Sequence, residues 1–441
     1  MVTLIFLLAL ASDPAVADAA VTNPSAATTP QMPTLIAVPE AARASPTFNP
    51  DKATAAYLAE IPAAASARSD AYFEGGYWLI LWDFIAGTLI SLALLQLRWS
   101  ARMRDFAQRT ARRPWLQSVI YWLQYTVLTA LLGFPLTVYE GYVREHEYGL
   151  ATQTFAPWMG DQLKGIAVAL VLGGIAFSGL LAIVRRLQLT WWIWGTVAST
   201  VFMIIIIVVA PVYIVPIFNT SKPLAEGPIK TEVLRMAHQN GIPVDNVYEV
   251  DASKQSTRMS ANVSGFANTM RITLNDNLLA RATPGEVAQV MGHEMGHYVL
   301  NHVLKSIIYM FIIIGACFAW LRWSLAAALA RYGERWGVRG VSDPAVLPVL
   351  MLSISIFFLV LTPVMNSFTR LQEEEADIFG LNTSRQPDGA AQAAIHLGEY
   401  RKMNPGRLEE IVFFDHPSGR NRIHMAMVWK AQNLGLEAAK P

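Results

Sequence analysis

Residues 191 to 218 read WWIWGTVASTVFMIIIIVVAPVYIVPIF, without an Asp, Glu, Lys or Arg among them. Crossing about 30 Å of hydrocarbon takes about 20 apolar helical residues, so this run is long enough to span a bilayer. Working outward, similar runs lie at approximately 165 to 184, 115 to 138 and 77 to 99 upstream, and at 306 to 330 and 345 to 367 downstream. Five of the six meet the length plainly and one is slightly more interrupted. Trp78, Trp99, Trp115, Trp191, Trp192 and Trp194 stand near span ends, where amphipathic rings favour the interface. Composition agrees: 53% of the 441 residues are hydrophobic and only 15% charged, against about 25% charged in soluble domains, which excludes an ordinary cytosolic enzyme. A net charge of +1 leaves no field to recruit nucleic acid, so no nucleic-acid partner is expected. The single cysteine, Cys317, closes neither an intramolecular disulfide nor a cysteine metal cluster.

The opening MVTLIFLLALAS is too short to span. With Ala15-Val16-Ala17 behind it, residues 1–17 read as either a signal peptide or a short first membrane helix. Residues 18–76 read as an extramembrane N-terminal segment, whose part up to residue 56, rich in Ala, Pro and Thr, is expected to be poorly ordered and without a core of its own. Four spans then occupy 77–218, a segment of soluble character 219–304, two further spans 305–367 and a tail 368–441. Basic residues cluster in alternate loops: Arg98, Arg102, Arg104, Arg109, Arg112 and Arg113, then Arg185 and Arg186, then Arg331, Arg335 and Arg339. Since such clusters favour the cytoplasm, residues 219–304 and the tail are expected on the opposite side.

The soluble segment carries the chemistry. A helix is expected near 224 to 239, with strands around Val247-Tyr248-Glu249-Val250 and Arg271-Ile272-Thr273-Leu274. Thr283-Pro284-Gly285-Glu286 then supplies a Thr cap, Pro at the first helical position and Glu at the third. On that helix lies His293-Glu294-Met295-Gly296-His297. Histidines four apart share one helix face and can share one metal ion, while Glu294 beside the first can take a proton from metal-bound water. A match to HExxH arises by chance in a chain of this length with a probability on the order of 1%, so a second element is needed.

A catalytic zinc keeps three protein ligands and an open position. The best third ligand lies in Arg370-Leu371-Gln372-Glu373-Glu374-Glu375-Ala376-Asp377. Consecutive helical residues point about 100° apart, so of the three glutamates only Glu373 shares a face with Asp377. That offers Glu373 to the metal and Asp377 to the free N–H of a ligand histidine. The competing reading is a solvated acidic helix start, which the nearby HExxH motif outweighs. His302, five residues after His297, points to another face of a continuous helix, and His396 and His424 lie in amphipathic stretches; surface or structural roles are expected for all three. His416, in Phe414-Asp415-His416-Pro417-Ser418, is either a turn residue or a site residue.

Together these motifs resemble the type-one CAAX prenyl protease family of integral-membrane zinc metalloproteases, with its HExxH helix and later ExxxAD element. The resemblance runs from about residue 70 to the C-terminus. It includes Leu132-Gly133-Phe134-Pro135-Leu136-Thr137-Val138-Tyr139, Glu145-His146-Glu147-Tyr148-Gly149-Leu150 with Gln153-Thr154, Pro216-Ile217-Phe218-Asn219, and Ser260-Ala261-Asn262-Val263-Ser264-Gly265-Phe266. It implies a mainly α polytopic membrane protein, six or seven transmembrane helices enclosing a chamber, with a small α+β zinc metalloprotease domain. It further implies one zinc ion per chain on His293, His297 and Glu373, Glu294 as general base, Asn262 on a strand that lines substrate backbone, His416 on substrate or oxyanion, and Arg422 bracing the site. Asp83 and Glu140, near span ends, would face chamber water by this resemblance, although reaching the interface serves them equally. Two features depart from the family: Val263 replaces its usual Ala, and six spans with basic loops facing away from the site contrast with seven spans and a cytosolic site in eukaryotic members.

The expected function is zinc-dependent hydrolysis of a peptide or protein substrate, membrane-associated or lipidated, in a lipid bilayer that would be an inner membrane in a bacterium. A general quality-control protease without prenyl specificity would use the same residues. A transporter or scaffold with a structural metal is the remote alternative: Pro135, Pro211 and Pro216 could break helices, but a structural zinc usually takes four cysteine-rich ligands.

Overall fold

The computed structural model describes residues 32–265 and 270–437. The alternatives for residues 1–17, and Phe266 of the motif above, lie outside the described residues. Among the described residues six helices are long and apolar enough to cross a membrane. They are built on α2 (Ala63–Gln96), α4 (Pro114–Val138), α5 (Phe155–Arg186), α6 (Trp191–Val209), α10 (His302–Trp336) and α11 (Leu347–Ser384). The remaining helices are α1 (Pro50–Ala59), α3 (Trp99–Thr110), α7 (Pro228–Gln239), α8 (Asp276–Arg281), α9 (Pro284–Val299), α12 (Pro387–Leu397), α13 (Arg407–Phe413) and α14 (Gly419–Glu437). Both α4 and α6 continue through a π-helical turn, at Tyr139–Val143 and Ala210–Ile214, to end at Glu147 and Phe218. Pro135 precedes the first turn and Pro211 lies in the second; proline lacks the N–H that a regular ladder needs there.

Successive spans alternate in direction, and the arginines gather at one end of the bundle. Arg98 Nε donates to the Arg335 carbonyl at 2.8 Å, Arg104 Nη1 to Asp343 at 2.6 Å, and Arg185 Nη1 to the Pro114 carbonyl at 3.3 Å. The opposite end carries the α+β part. Its four-stranded sheet has the order β1 (Ser221–Pro223), β2 (Val247–Val250), β4 (Arg271–Asn275), β3 (Ala261–Ser264). The β2–β4 pair is parallel and the other two are antiparallel, with Asn262 opposite Thr273. This leaves β3 at an edge. Val233 and Met236 of α7, Ile272 and Leu274 of β4, and Met291 and Met295 of α9 are buried together, each contributing about 1.5–3 kcal/mol through burial.

One expectation is corrected. From Met32 onward the N-terminal segment is ordered: Met32, Ile36, Ala53 and Tyr57 are buried in one cluster with Ile395 of α12 and Met427 of α14. Its few apolar residues lack a core of their own but complete that of the C-terminal helices. The first long helix starts at Ala63, ahead of the apolar run at 77.

Candidate metal centre and active site

The centre forms where α9 crosses the extramembrane end of α11. Thr283 caps α9 in a capping box with Glu286, as its sequence predicts. The crossing is close because glycines face each other: a Cβ on Gly292 would lie 3.0 Å from Gly380 Cα, and one on Gly380 2.9 Å from the His293 backbone nitrogen. Backbones that approach so closely bring side chains of both helices into one layer.

Within that layer the Nε2 atoms of His293 and His297 lie 3.1 Å apart. Glu373 Oε2 is 3.1 Å from His293 Nε2, and its Oε1 is 3.5 Å from His297 Nε2. The three ligand atoms lie within 4.8 Å of one another. Asp377 Oδ1 accepts from His293 Nδ1 at 2.8 Å, and Arg422 clamps the same carboxylate through Nε at 2.8 Å and Nη2 at 2.5 Å. His416 Nε2 stands 3.3 Å from Glu373 Oε2, while its Nδ1 is 2.8 Å from Asp415. Glu374 is exposed, as the 100° rule requires of its position.

The hydrogen positions on these residues fit a cation. Asp377 requires the hydrogen on His293 Nδ1, which turns that ring's lone pair to Nε2. Behind His297, the Nδ1 of His302 lies 2.9 Å from its Nδ1, and His302 Nε2 lies 3.0 Å from Glu375. The Glu375 carboxylate requires a hydrogen on His302 Nε2, so neutral His302 accepts from His297 Nδ1 and the His297 lone pair also falls on Nε2. Two lone pairs and a buried carboxylate therefore converge, and Glu373 Oε2 receives no well-formed hydrogen bond. The side chains alone can share one positive charge. Burial opposes charging His293, but Asp377 and Glu373 outweigh it and raise its pKa to about 10, whereas burial and neighbouring His293 push His297 down to about 4. The donor set, two imidazoles and one carboxylate, is that of an open catalytic zinc site.

Glu294 lines a cleft of about 230 Å³ with His293, His416, Arg422, Ser260 and the first β3 residue, Ala261. Asn262 follows on β3, exposed at the free edge. The structure thus gathers His293, Glu294, His297, Glu373, Asp377, His416 and Arg422 around one point and sets Asn262 on the strand beside it. His396 is instead buried against Glu286, 2.5 Å from Oε1, and His424 is distant. His302 is the residue that sequence reasoning misplaced: Asn301 takes a left-handed conformation (φ 57°) that ends α9 and returns His302 to the back of His297. The signal was Leu300-Asn301, since asparagine tolerates that conformation.

A bundle of membrane helices whose extramembrane ends build this centre defines an integral-membrane metalloprotease. Residues 223–430 match peptidase family M48, and residues 49–220 match the CAAX prenyl protease N-terminal region, described as five membrane helices. The chain is 27% identical over 329 residues to the uncharacterized metalloprotease YhfN of Bacillus subtilis, covering 74% of this chain and 77% of that one. To CAAX prenyl protease 1 of Saccharomyces cerevisiae it is 26% identical over 317 residues, covering 67% and 69%. The crystal structure of S. mikatae Ste24p superposes with a TM-score of 0.71 at 22% identity, covering 83% of this chain and 89% of that one. The chain belongs to the CAAX prenyl protease 1 family of metalloproteases within peptidase family M48, which sets aside the transporter and scaffold readings.

Proposed function

We propose that the protein is a zinc-dependent endopeptidase in which His293, His297 and Glu373 hold the metal and Glu294 is the general base. The observation that carries this reading is the convergence of the two Nε2 atoms, 3.1 Å apart, on Glu373, beside a cleft that Glu294 lines. Zinc bound there supplies Lewis acidity toward the scissile carbonyl and lowers the pKa of water. Substrate backbone adds to the free edge of β3, held by its N–H and C=O groups and the Asn262 amide. Glu294 takes the proton of the attacking water and delivers it to the leaving amine. His416, steadied by Asp415 at Nδ1, stands beside the oxygen on which negative charge develops. Arg422 and Asp377 keep His293 in its tautomer.

The test is hydrolysis of matched farnesylated and unmodified peptides by the detergent-purified chain, with Glu294→Gln as blank. That variant is expected to retain zinc and lose about 10²- to 10⁴-fold in turnover; full activity would refute the assignment. Preference for the farnesylated peptide assigns the processing role carried in the yeast relative's name. Equal cleavage assigns a general membrane-protein protease, a reading favoured by the arginines at the end of the bundle opposite the site. Under the positive-inside rule, that arrangement turns the site away from the cytoplasm.

A further inference from the structure

The two ligand histidines are supported differently. His293 leans directly on Asp377, whose charge Arg422 compensates inside the protein. His297 leans on a second imidazole. His302 is buried, with 3% of its surface exposed, and places Nδ1 2.9 Å from His297 Nδ1 and Nε2 3.0 Å from Glu375 Oε2. Its backbone carbonyl accepts from Gln372 at 3.3 Å, which fixes it to α11. Lys305 Nζ lies 2.7 Å from Glu375, whose side chain is 41% exposed. The chain therefore runs from solvent through a carboxylate and two imidazoles to the metal-facing nitrogen of His297, and the hydrogens can be placed on it in one self-consistent way. Glu375 accepts from His302 Nε2, and His302 Nδ1 accepts from His297 Nδ1.

We propose that His302 and Glu375 are positioning residues that set the affinity of the centre for its metal, by holding His297 in the tautomer and orientation that present Nε2. The inference rests on the zinc-site reading above and extends it to a carboxylate outside the centre. A carboxylate hydrogen-bonded behind a ligand histidine raises that ligand's basicity, and loss of such a partner typically costs 10- to 100-fold in metal affinity. Here one imidazole is interposed, so Glu375 acts on a metal whose ligands it does not touch. Sequence position hid this, because Glu375 points about 200° around the helix from Glu373.

The experiment uses the full chain in detergent, titrated with zinc against a chromophoric chelator, with zinc dissociation rates measured in parallel. Glu375→Gln is expected to weaken zinc about 10-fold, and His302→Ala about 10- to 100-fold. His302→Asn, whose amide oxygen occupies the place of Nδ1, is expected to recover part of the loss. The visible spectrum of the cobalt-loaded protein is expected to change in His302→Ala and to return toward wild type in His302→Asn. Lys305→Gln removes only the compensating charge and is expected not to weaken zinc. If His302→Ala fails to fold, Glu375→Gln, on a half-exposed side chain, carries the test. Wild-type zinc affinity and dissociation rate in folded Glu375→Gln would overturn the proposal. A wild-type chain that binds no zinc would instead overturn the zinc-site reading.

Discussion

Replacing Gly380 with alanine is expected to part the two helices that make the centre. The added methyl carbon would stand 2.9 Å from the His293 backbone nitrogen and 2.7 Å from Gln289 Nε2. Neither neighbour yields easily: the first is helix backbone, and the Gln289 amide oxygen is held by Ser384 at 2.7 Å. Ordinary contact requires a retreat of about 0.5 Å. Asp377 and Glu373 lie one and two turns earlier on the same helix and move with it, stretching the 2.8 Å bond from His293 to Asp377 beyond good hydrogen-bond length. Overpacking of this kind costs about 1–3 kcal/mol in stability. A displacement of 1 Å at a catalytic centre can cost about 10²-fold, so about tenfold in kcat/KM is expected here. The assay combines thermal melting, zinc titration and peptide hydrolysis in detergent. Gly165→Ala serves as control, since a Cβ there meets nothing within 4 Å. Wild-type kcat/KM and zinc affinity in Gly380→Ala would refute the claim that this close approach positions the ligands.

Three more outcomes follow from the same geometry. Arg258, just before β3, donates to Tyr72 at 2.7 Å and to Glu145 at 2.8 Å, tying the edge strand to the membrane helices; Arg258→Met is expected to raise KM about tenfold with kcat nearly unchanged, measured by steady-state kinetics. Arg422→Lys keeps the charge but cannot reproduce the two-pronged bond to Asp377 and is expected to lose about 1.5–3 kcal/mol, readable as a lower Tm with weaker zinc binding. Burial opposes charging His396, but Glu286 outweighs it and holds its pKa above the usual 6.5. The stability this contributes is complete below about pH 6.5 and is lost as pH rises through the folded-state value. Tm measured against pH is therefore expected to fall more steeply in the wild type than in His396→Gln, and parallel curves would refute it.

The parts of the centre legible in the sequence were those set by helical arithmetic. His293 and His297 share a face because four residues separate them, and Glu373 was distinguishable from Glu374 and Glu375 because Asp377 lies one turn further on. His302 was not legible by that arithmetic, which extends α9 through it; the chain instead breaks at Asn301. Turn conformations of one or two residues override periodicity and leave only a weak compositional trace. The N-terminal segment failed for a different reason. Tyr57 gains its partners, Asp388 at 2.7 Å and the cluster around Ile395, more than 300 residues downstream, and no local pattern encodes such a contact.

The centre's dependence on α11 follows from leverage. Glu373 and Asp377 lie on the same unbroken helix as the last apolar run. At 1.5 Å rise per residue, Glu373 stands about 25 Å along that rod from the middle of the span, so a tilt of about 2° displaces it by about 1 Å. A span packed loosely in lipid tolerates such tilts, whereas a metal site does not. The rod is therefore tied at its extramembrane end on several sides. The glycine contact with α9 holds one side. Arg370 donates to the Glu410 and Phe414 carbonyls at 2.8 and 2.5 Å on a second, and Arg422 closes on Asp377 from α14. A buried ion pair adds little net stability, but placed there it fixes direction. What Arg422 contributes is a constraint on where the end of a membrane helix can point.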